Sequence, residues 1–232
     1  MVGVLNINKP EGITSHDVVN QVRRLVGVSA EARRQRAKAG HAGTLDPFAT
    51  GVLLVAVGPA TRLLEYISDL PKTYQATFTL GATSDTDDRT GEIVNPASQV
   101  NQVNQTTVEE ALQAFIGDIQ QKPPAYSAVK IKGKKLYEEA RAGNPISAPA
   151  RDVTIHSITV TNFNYPEVSL EITCGSGTYI RSIARDLGEK LSTGGYVKEL
   201  TRTVIGNFSI DNAIALNELT PENVGEYIQP SE

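Results

Sequence analysis

Residues 39–53 read AGHAGTLDPFATGVL and place one acidic residue, Asp46, in a run of small and apolar residues. Three glycines in this segment permit tight turns and close approach of the backbone to a ligand, and Pro47 restricts Asp46 to extended backbone angles. The apolar run at 51–57 predicts a buried strand directly after the loop. Two interpretations of Asp46 stay open at this point: a carboxylate held in a formed pocket, or an aspartate that makes a turn or caps a backbone amide.

The segments on either side predict an α+β fold. Residues 4–8 alternate weakly and end at a Lys-Pro-Glu-Gly turn, while Thr14 or Ser15 caps a helix that continues to Val26. Further strands are predicted over residues 51–57, 73–80, 153–160 and 168–174, and further helices over residues 61–67, 108–116, 136–141 and 179–191. The basic segment 31–38 is predicted as a short helix or a loop. We therefore expect a single domain with a mainly antiparallel sheet flanked by helices and loops.

The composition is that of an ordinary globular protein. The chain has 232 residues, of which 40% are hydrophobic, and no apolar run is long enough to span a membrane. Cys174 is the single cysteine, so no internal disulfide can form, and the N-terminus lacks the pattern of a signal peptide. These features predict a cytoplasmic protein. The three histidines are scattered, so we predict no metal site.

Charge is unevenly distributed along the chain, although the net charge is only −4. Basic residues predominate in residues 1–62 and 122–151, and acidic residues predominate in residues 85–118 and 207–232. The basic segments are compatible with a face for an anionic partner such as RNA, and equally with solvated surfaces that bind nothing.

Motifs along nearly the whole chain closely resemble the TruB family of tRNA pseudouridine synthases. They are KP-x-G-x-TS at 9–15, GHAGTLDP-x-ATG at 40–51, GPAT at 58–61, KTY at 72–74, SDTDD at 84–88, PPAYSA-x-K at 123–130 and GTYIRS-x-A-x-DLG at 177–188. The motifs occur in the same order as in the family and cover residues 4–208. The HAGTLDP block followed by GTYIR is the most specific part of this resemblance.

The resemblance implies an enzyme that isomerises uridine 55 in the T-loop of tRNA to pseudouridine. The bond from ribose C1′ to uracil N1 breaks, the base turns over, and it rejoins through C5. The reaction needs neither a cofactor nor a metal. The family's catalytic aspartate corresponds to Asp46, and three roles stay open for it: nucleophile on C1′, nucleophile on C6, or the base that starts glycal formation.

The resemblance also assigns the groups around this aspartate. It places Arg181 beside Asp46, where the positive charge offsets the cost of burying a carboxylate. Tyr74 corresponds to the aromatic residue that stacks on the uracil, so the expected catalytic set is Asp46, Tyr74 and Arg181. Tyr179 and Leu200 correspond to positions that line the nucleotide pocket.

Contacts to the RNA are implied by three further matches. His41 corresponds to the residue that occupies the space near the flipped nucleotides, and Lys9 to a motif that supports the catalytic loop. Lys130 lies in the segment of about 122–151, which the family uses as a mobile RNA-gripping thumb whose lysines contact phosphates. The expected partner is the T-arm of tRNA, with no membrane or metal partner, and the protein is expected to be a monomer.

The chain departs from many relatives at its C-terminus. Residues 1–210 are expected to form the catalytic domain, and residues 211–232 a short acidic tail in place of a full PUA domain. Thr201 replaces a usual arginine, which indicates one fewer phosphate contact. The alternative function is a tRNA-binding or tRNA-folding module with secondary or no catalysis. An aspartyl phosphatase is disfavoured because the Asp-x-Asp-Gly-Thr pattern is absent.

Overall fold

The structure is a computed structural model, and it divides into two compact units. It describes residues 1–27, 38–95, 103–127, 129–131, 133–143, 146 and 148–229. The first unit comprises Met1–Thr73 and Thr201–Glu232, and the second comprises Tyr74–Leu200. The prediction for segment 31–38 therefore lies outside the described residues, except at Lys38.

The described residues contain fourteen strands and five α-helices. The strands are β1 (Gly3–Lys9), β2 (Ala39–Ala42), β3 (Thr50–Val57), β4 (Lys72–Leu80), β5 (Thr83–Ser84), β6 (Ile93–Val94), β7 (Gly117–Gln121), β8 (Lys130–Ile131), β9 (Lys134–Lys135), β10 (Arg151–Asn164), β11 (Glu167–Cys174), β12 (Gly195–Ile205), β13 (Phe208–Ser209) and β14 (Ile214–Ala215). The helices are α1 (Ser15–Val26), α2 (Leu64–Asp69), α3 (Gln105–Gln113), α4 (Leu136–Arg141) and α5 (Ile180–Lys190). This content confirms the predicted α+β class with a mainly antiparallel sheet.

The first unit is built on β1 and β3, which pair antiparallel from Gly3↔Val57 to Lys9↔Gly51. Both strands are almost wholly buried: β3 is a nearly continuous apolar run, whereas β1 also buries the polar residues Asn6 and Lys9. Helix α1 begins at a capping box, in which the Thr14 side chain and the Asp17 side chain each bind the other residue's backbone N–H. Its valines pack on β1 and β3 in one buried cluster.

The segment expected to be an acidic tail belongs to the core of the first unit. Strand β14 pairs in parallel with β1, with Ile7 opposite Ile214. Leu216, Leu219 and Val224 are buried in the same cluster as β1 and α1. The acidic residues of this segment are interleaved with these apolar side chains, which make it part of the folded unit.

The second unit contains the sheet order β4–β11–β10–β7. Strands β10 and β11 form an antiparallel hairpin. Strand β10 is longer than the predicted 153–160: it begins at Arg151, where it pairs with β7, and continues past a register shift to Asn164. Helix α3 starts before the predicted residue 108 because Asn104 caps it, accepting from the Thr107 N–H. Strands β8 and β9 form a small hairpin that leads directly into α4.

None of the helices in the described residues has the length and apolar character that a bilayer crossing requires.

Candidate active site

The loop that carries Asp46 connects β2 to β3 in the first unit. Hydrogen bonds link it to the start of α1. The Ser15 hydroxyl accepts a hydrogen bond from the Leu45 N–H (2.9 Å) and donates one to the Leu45 carbonyl (3.1 Å). The Gly12 N–H donates to the Pro47 carbonyl at 2.8 Å. Asp46 itself is half-buried between residues fixed in this way. Its backbone position is therefore determined before any ligand binds.

Lys9 lies at the end of β1 and is fully buried. Its ammonium group donates to the carbonyl oxygens of Pro10 (2.8 Å), Ile13 (2.9 Å) and Pro47 (3.3 Å), so all three N–H donors are used. Burial lowers the pKa of Lys9 to about 8, while the negative charges of Asp46 and Glu11 act in the opposite direction. The structure thus brings Lys9 and Asp46 into one electrostatic environment.

Arg202 is a buried residue whose place in this site was not predicted. Its Nε donates to the Val52 carbonyl (2.8 Å) and its Nη2 to the Gly43 carbonyl (2.9 Å), so it binds the loop at both ends. Gly51 has φ +102°, and a Cβ at this position would lie 2.2 Å from the Arg202 carbonyl oxygen. The one signal in the sequence is the glycine itself, which permits this close approach.

Thr201, where an arginine is usual, makes an internal contact in this structure. Its hydroxyl lies 2.9 Å from the hydroxyl of Thr50, at the position where β12 pairs in parallel with β3. This residue therefore joins two strands through its side chain.

His41 lies on β2 opposite Val55. Its Nδ1 is buried and has no hydrogen-bond partner among the residues that the structure describes. Burial is the main cause that lowers the pKa of His41, and the charges of Arg202 and His16 lower it further. Both effects favour the neutral form of the imidazole.

In the second unit, Arg181 lies in the first turn of α5 and is buried, with 4% of its surface exposed. Its Nη1 donates to the Thr86 carbonyl (2.9 Å) and forms an ion pair with Asp88 Oδ2 (3.3 Å). Its Nη2 donates to the Tyr126 carbonyl (3.0 Å). Because both terminal nitrogens are bound, the guanidinium group is held in one orientation.

Asp88, which the sequence analysis quoted only as part of a motif, is the anionic partner of Arg181. Its second oxygen, Oδ1, accepts from the Thr90 N–H (2.9 Å), the Thr86 hydroxyl (2.9 Å) and the Thr90 hydroxyl. A carboxylate with this many donors is held in one orientation. The spacing of the SDTDD motif gives no indication of which aspartate faces the arginine.

Tyr179 occupies the N-cap position of α5. The buried Gln121 side chain binds its backbone on both sides, accepting from the Tyr179 N–H (2.7 Å) and donating to the Tyr179 carbonyl (3.0 Å). The Arg151 guanidinium lies 4.9 Å from the centroid of the Tyr179 ring, a cation–π distance. Arg151 and Gln121 are register partners on β10 and β7, and neither was predicted as a site residue.

The remaining predicted residues lie on strands of the second unit. Tyr74 on β4 and Leu200 on β12 are buried, and these two strands are neighbours in the sheet. Lys130 is in β8 and pairs with Lys135 of β9. The first unit thus gathers Lys9, His41 and Asp46 around one loop, whereas Tyr74, Tyr179, Arg181, Leu200 and Lys130 belong to the second unit.

The chemistry available from these groups is acid–base, nucleophilic and electrostatic. A half-buried carboxylate next to a buried ammonium can act as a nucleophile or a base, and a buried arginine can stabilise negative charge. Within the described ranges, no group of three or more His, Cys, Asp or Glu side chains is arranged to hold a metal ion.

The matching family models and the similar proteins all point to one family. Residues 31–180 match the model of the TruB family pseudouridylate synthase N-terminal domain, and residues 181–230 match that of the tRNA pseudouridylate synthase B C-terminal domain. The tRNA pseudouridine synthase B of Acaryochloris marina is 48% identical over 232 residues, which cover 99% of this chain and 75% of the relative. That of Synechocystis sp. is 46% identical over 222 residues, covering 94% and 72%.

Two solved structures with a similar fold are chains from ribonucleoprotein complexes. A crystal structure of a Cbf5-Nop10-Gar1 complex matches with a TM-score of 0.72 and 29% identity, over 98% of this chain and 60% of the solved chain. An H/ACA RNP bound to a substrate RNA matches with a TM-score of 0.67 and 27% identity, over 94% and 52%. The family models together span residues 31–230, and the relatives align over almost the whole chain. The chain therefore belongs to the TruB family of pseudouridylate synthases.

Proposed function

We propose that this protein converts uridine 55 in the T-loop of tRNA to pseudouridine, with Asp46, Tyr74 and Arg181 as its catalytic residues. The observation that carries the proposal is the fixed loop around Asp46, which Ser15 and Lys9 bind through hydrogen bonds. A carboxylate used only in a turn would not require a fully buried ammonium beside it, because burying a charge is costly. The relatives named tRNA pseudouridine synthase B supply the substrate class.

The reaction is an isomerisation, so no group is gained or lost overall. The C1′–N1 bond breaks, C5 of the rotated uracil bonds to C1′, the hydrogen on C5 is lost as a proton, and N1 ends protonated. Asp46 acts in this sequence as nucleophile on C1′, as nucleophile on C6, or as the base that starts glycal formation. Each role requires an ionised carboxylate in a fixed position.

The other residues bind and position the RNA in this proposal. Tyr74 stacks on the uracil, and Tyr179 and Leu200 line the nucleotide pocket. His41 occupies the space near the flipped nucleotides and stacks on them. Lys130 in the thumb segment contacts phosphate, which makes the binding of the T-arm sensitive to salt.

The test uses an unmodified tRNA transcript labelled with tritium at C5 of uridine, because pseudouridine formation releases that tritium to water. The modified position is mapped by carbodiimide treatment and primer extension. We compare wild type, Asp46→Asn and, as a matched control, Asp211→Asn, which changes an exposed aspartate elsewhere in the first unit.

We expect tritium release and a primer-extension stop at the T-loop uridine with wild type and Asp211→Asn, and neither with Asp46→Asn. Full activity of Asp46→Asn would contradict the assignment of the catalytic residue. Salt-sensitive tRNA binding without tritium release by wild type would favour the alternative, a tRNA-binding or tRNA-folding module.

A further inference from the structure

A second arginine, Arg185, follows Arg181 by one helical turn on α5. Its Nη1 forms an ion pair with Asp87 Oδ2 at 3.0 Å, and its Nη2 donates to the Lys122 carbonyl at 3.0 Å. Its Nε donates to Asp186 Oδ1 at 2.8 Å. Every nitrogen of this guanidinium group therefore has an acceptor.

The two arginines bind the same two segments in the same way. Arg181 pairs with Asp88 and donates to the Tyr126 carbonyl, while Arg185 pairs with the preceding residue, Asp87, and donates to a carbonyl four residues earlier. Side chains four apart on a helix lie on one face. The two arginines on this face of α5 therefore join the loop at residues 86–88 to the segment 122–126.

Asp87 determines the shape of the loop that presents Asp88. It has φ +59°, a left-handed conformation that costs free energy in a residue other than glycine. Its N–H donates to the Ser84 carbonyl (3.1 Å), and its own carbonyl accepts from the Val197 N–H (3.1 Å). A residue held in such a conformation needs contacts that maintain it, and its ion pair with Arg185 is one of them.

The pair lies in a partly buried site, where attraction between charges is screened less than at the surface. The side chains of Arg185 and Asp87 are only 22% and 12% exposed. Removing one partner takes away the contact that joins α5 to Asp87, although Arg185 keeps its ion pair with Asp186. Arg185 also occupies a position that the family motif GTYIRS-x-A-x-DLG leaves unspecified, so the resemblance assigns it no role.

We propose that Arg185 and Asp87 form a positioning pair that holds Asp88 and the Thr86 carbonyl in place, and through them orients the Arg181 guanidinium for catalysis. The pair does not touch the reacting atoms. This inference rests on the proposed function, because it assigns the pair to the same reaction.

The test measures the single-turnover rate with saturating enzyme and limiting tRNA and, separately, the tRNA dissociation constant by filter binding. The variants are Arg185→Gln, Arg185→Lys and Asp87→Asn, with Lys190→Gln as a control on an exposed residue of the same helix. The single-turnover rates of Arg185→Gln and Asp87→Asn are expected to fall by about 10- to 100-fold, because a small displacement of a catalytic group costs that much. The dissociation constant is expected to stay within about twofold of wild type, since no RNA contact is removed.

Two further results distinguish positioning from folding. Arg185→Lys, which keeps the charge, is expected to recover part of the rate, and the double variant Arg185→Gln/Asp87→Asn to lose no more rate than either single variant. An unchanged rate in Arg185→Gln would overturn the inference. So would parallel losses of rate, tRNA affinity and melting temperature in both single variants, because these would show a structural role only. If wild type itself released no tritium, the proposed function would be at fault.

Discussion

Replacing Lys9 by methionine removes a buried charge and keeps the length of the side chain. The change leaves three carbonyl oxygens, those of Pro10, Ile13 and Pro47, without the donor that binds them in wild type. An acceptor left unsatisfied in a protein interior costs about 1–3 kcal/mol. Three such acceptors together lower the free energy of unfolding by about 6 kcal/mol.

Part of this cost is offset, because the variant no longer buries an ammonium group. The pKa of Lys9 falls from 10.5 to about 8 in the folded protein, which corresponds to about 3 kcal/mol against the charged form. The net loss of unfolding free energy is therefore about 3 kcal/mol at pH 7. In a chain of this size such a loss lowers the melting temperature by about 6–12 °C.

The pH dependence gives a sharper test than the loss itself. Between pH 8 and 10.5 the folded protein has released the Lys9 proton and the unfolded chain still holds it, so unfolding takes up a proton and wild-type stability rises with pH. Below pH 8 both states are protonated and this contribution is constant. The methionine variant lacks the group, so the stability gap between wild type and variant is expected to widen by about 3 kcal/mol from pH 8 to pH 10.5.

The assay is urea unfolding followed by far-UV circular dichroism at pH 7, 8, 9 and 10, on wild type, Lys9→Met and Lys38→Met. Lys38 is exposed and lies in the same unit, so its variant is expected to follow wild type at every pH. A gap between wild type and Lys9→Met that stays flat or narrows above pH 8 would refute the reasoning, since it would mean that the buried ammonium is not destabilised by its surroundings.

Two further predictions concern the backbone of the first unit. Gly51→Ala is expected to unfold this unit or to lower its stability by more than about 4 kcal/mol, because its Cβ would lie 2.2 Å from the Arg202 carbonyl oxygen at φ +102°. Gly12→Ala, which has φ +87° and open space around its Cβ position, is the control, and thermal melting that shows equal losses in both would contradict the steric argument. Thr14→Ala removes the side chain that caps α1 and is expected to cost about 1 kcal/mol in urea unfolding; an unchanged midpoint would show that the cap contributes nothing.

Local patterns predicted the elements whose stabilising contacts are themselves local. The capping residues at Thr14 and the valine spacing after it are enough to place α1, and the unbroken apolar run is enough to place β3. The loop with Asp46 was likewise recognisable, because its glycines and proline constrain the backbone in ways that few sequences need.

The contacts that shape the site are of a different kind and were not predictable from local patterns. Arg202 reaches the carbonyls of Gly43 and Val52 from more than a hundred residues away, and a charged residue in a strand is ordinarily expected on the surface. Strand β14 has only two residues, too few to show a period, and its pairing with β1 depends on the fold as a whole. The choice of Asp88 over Asp87 as the partner of Arg181 likewise depends on a left-handed backbone at Asp87.

The parallel pairing of β14 with β1 has a consequence for the order in which the chain can fold during synthesis. The first unit needs both ends of the sequence, while Tyr74–Leu200 is continuous. A ribosome that has translated residue 200 has therefore supplied all of the second unit, whereas β1 still lacks the strand and the leucines that cover it. We expect protease resistance of ribosome-bound chains to appear first in the second unit, and early resistance of residues 1–73 would contradict this. Until residue 224 has been made, the core under the Asp46 segment is incomplete, so the nascent chain is expected to lack activity before that point.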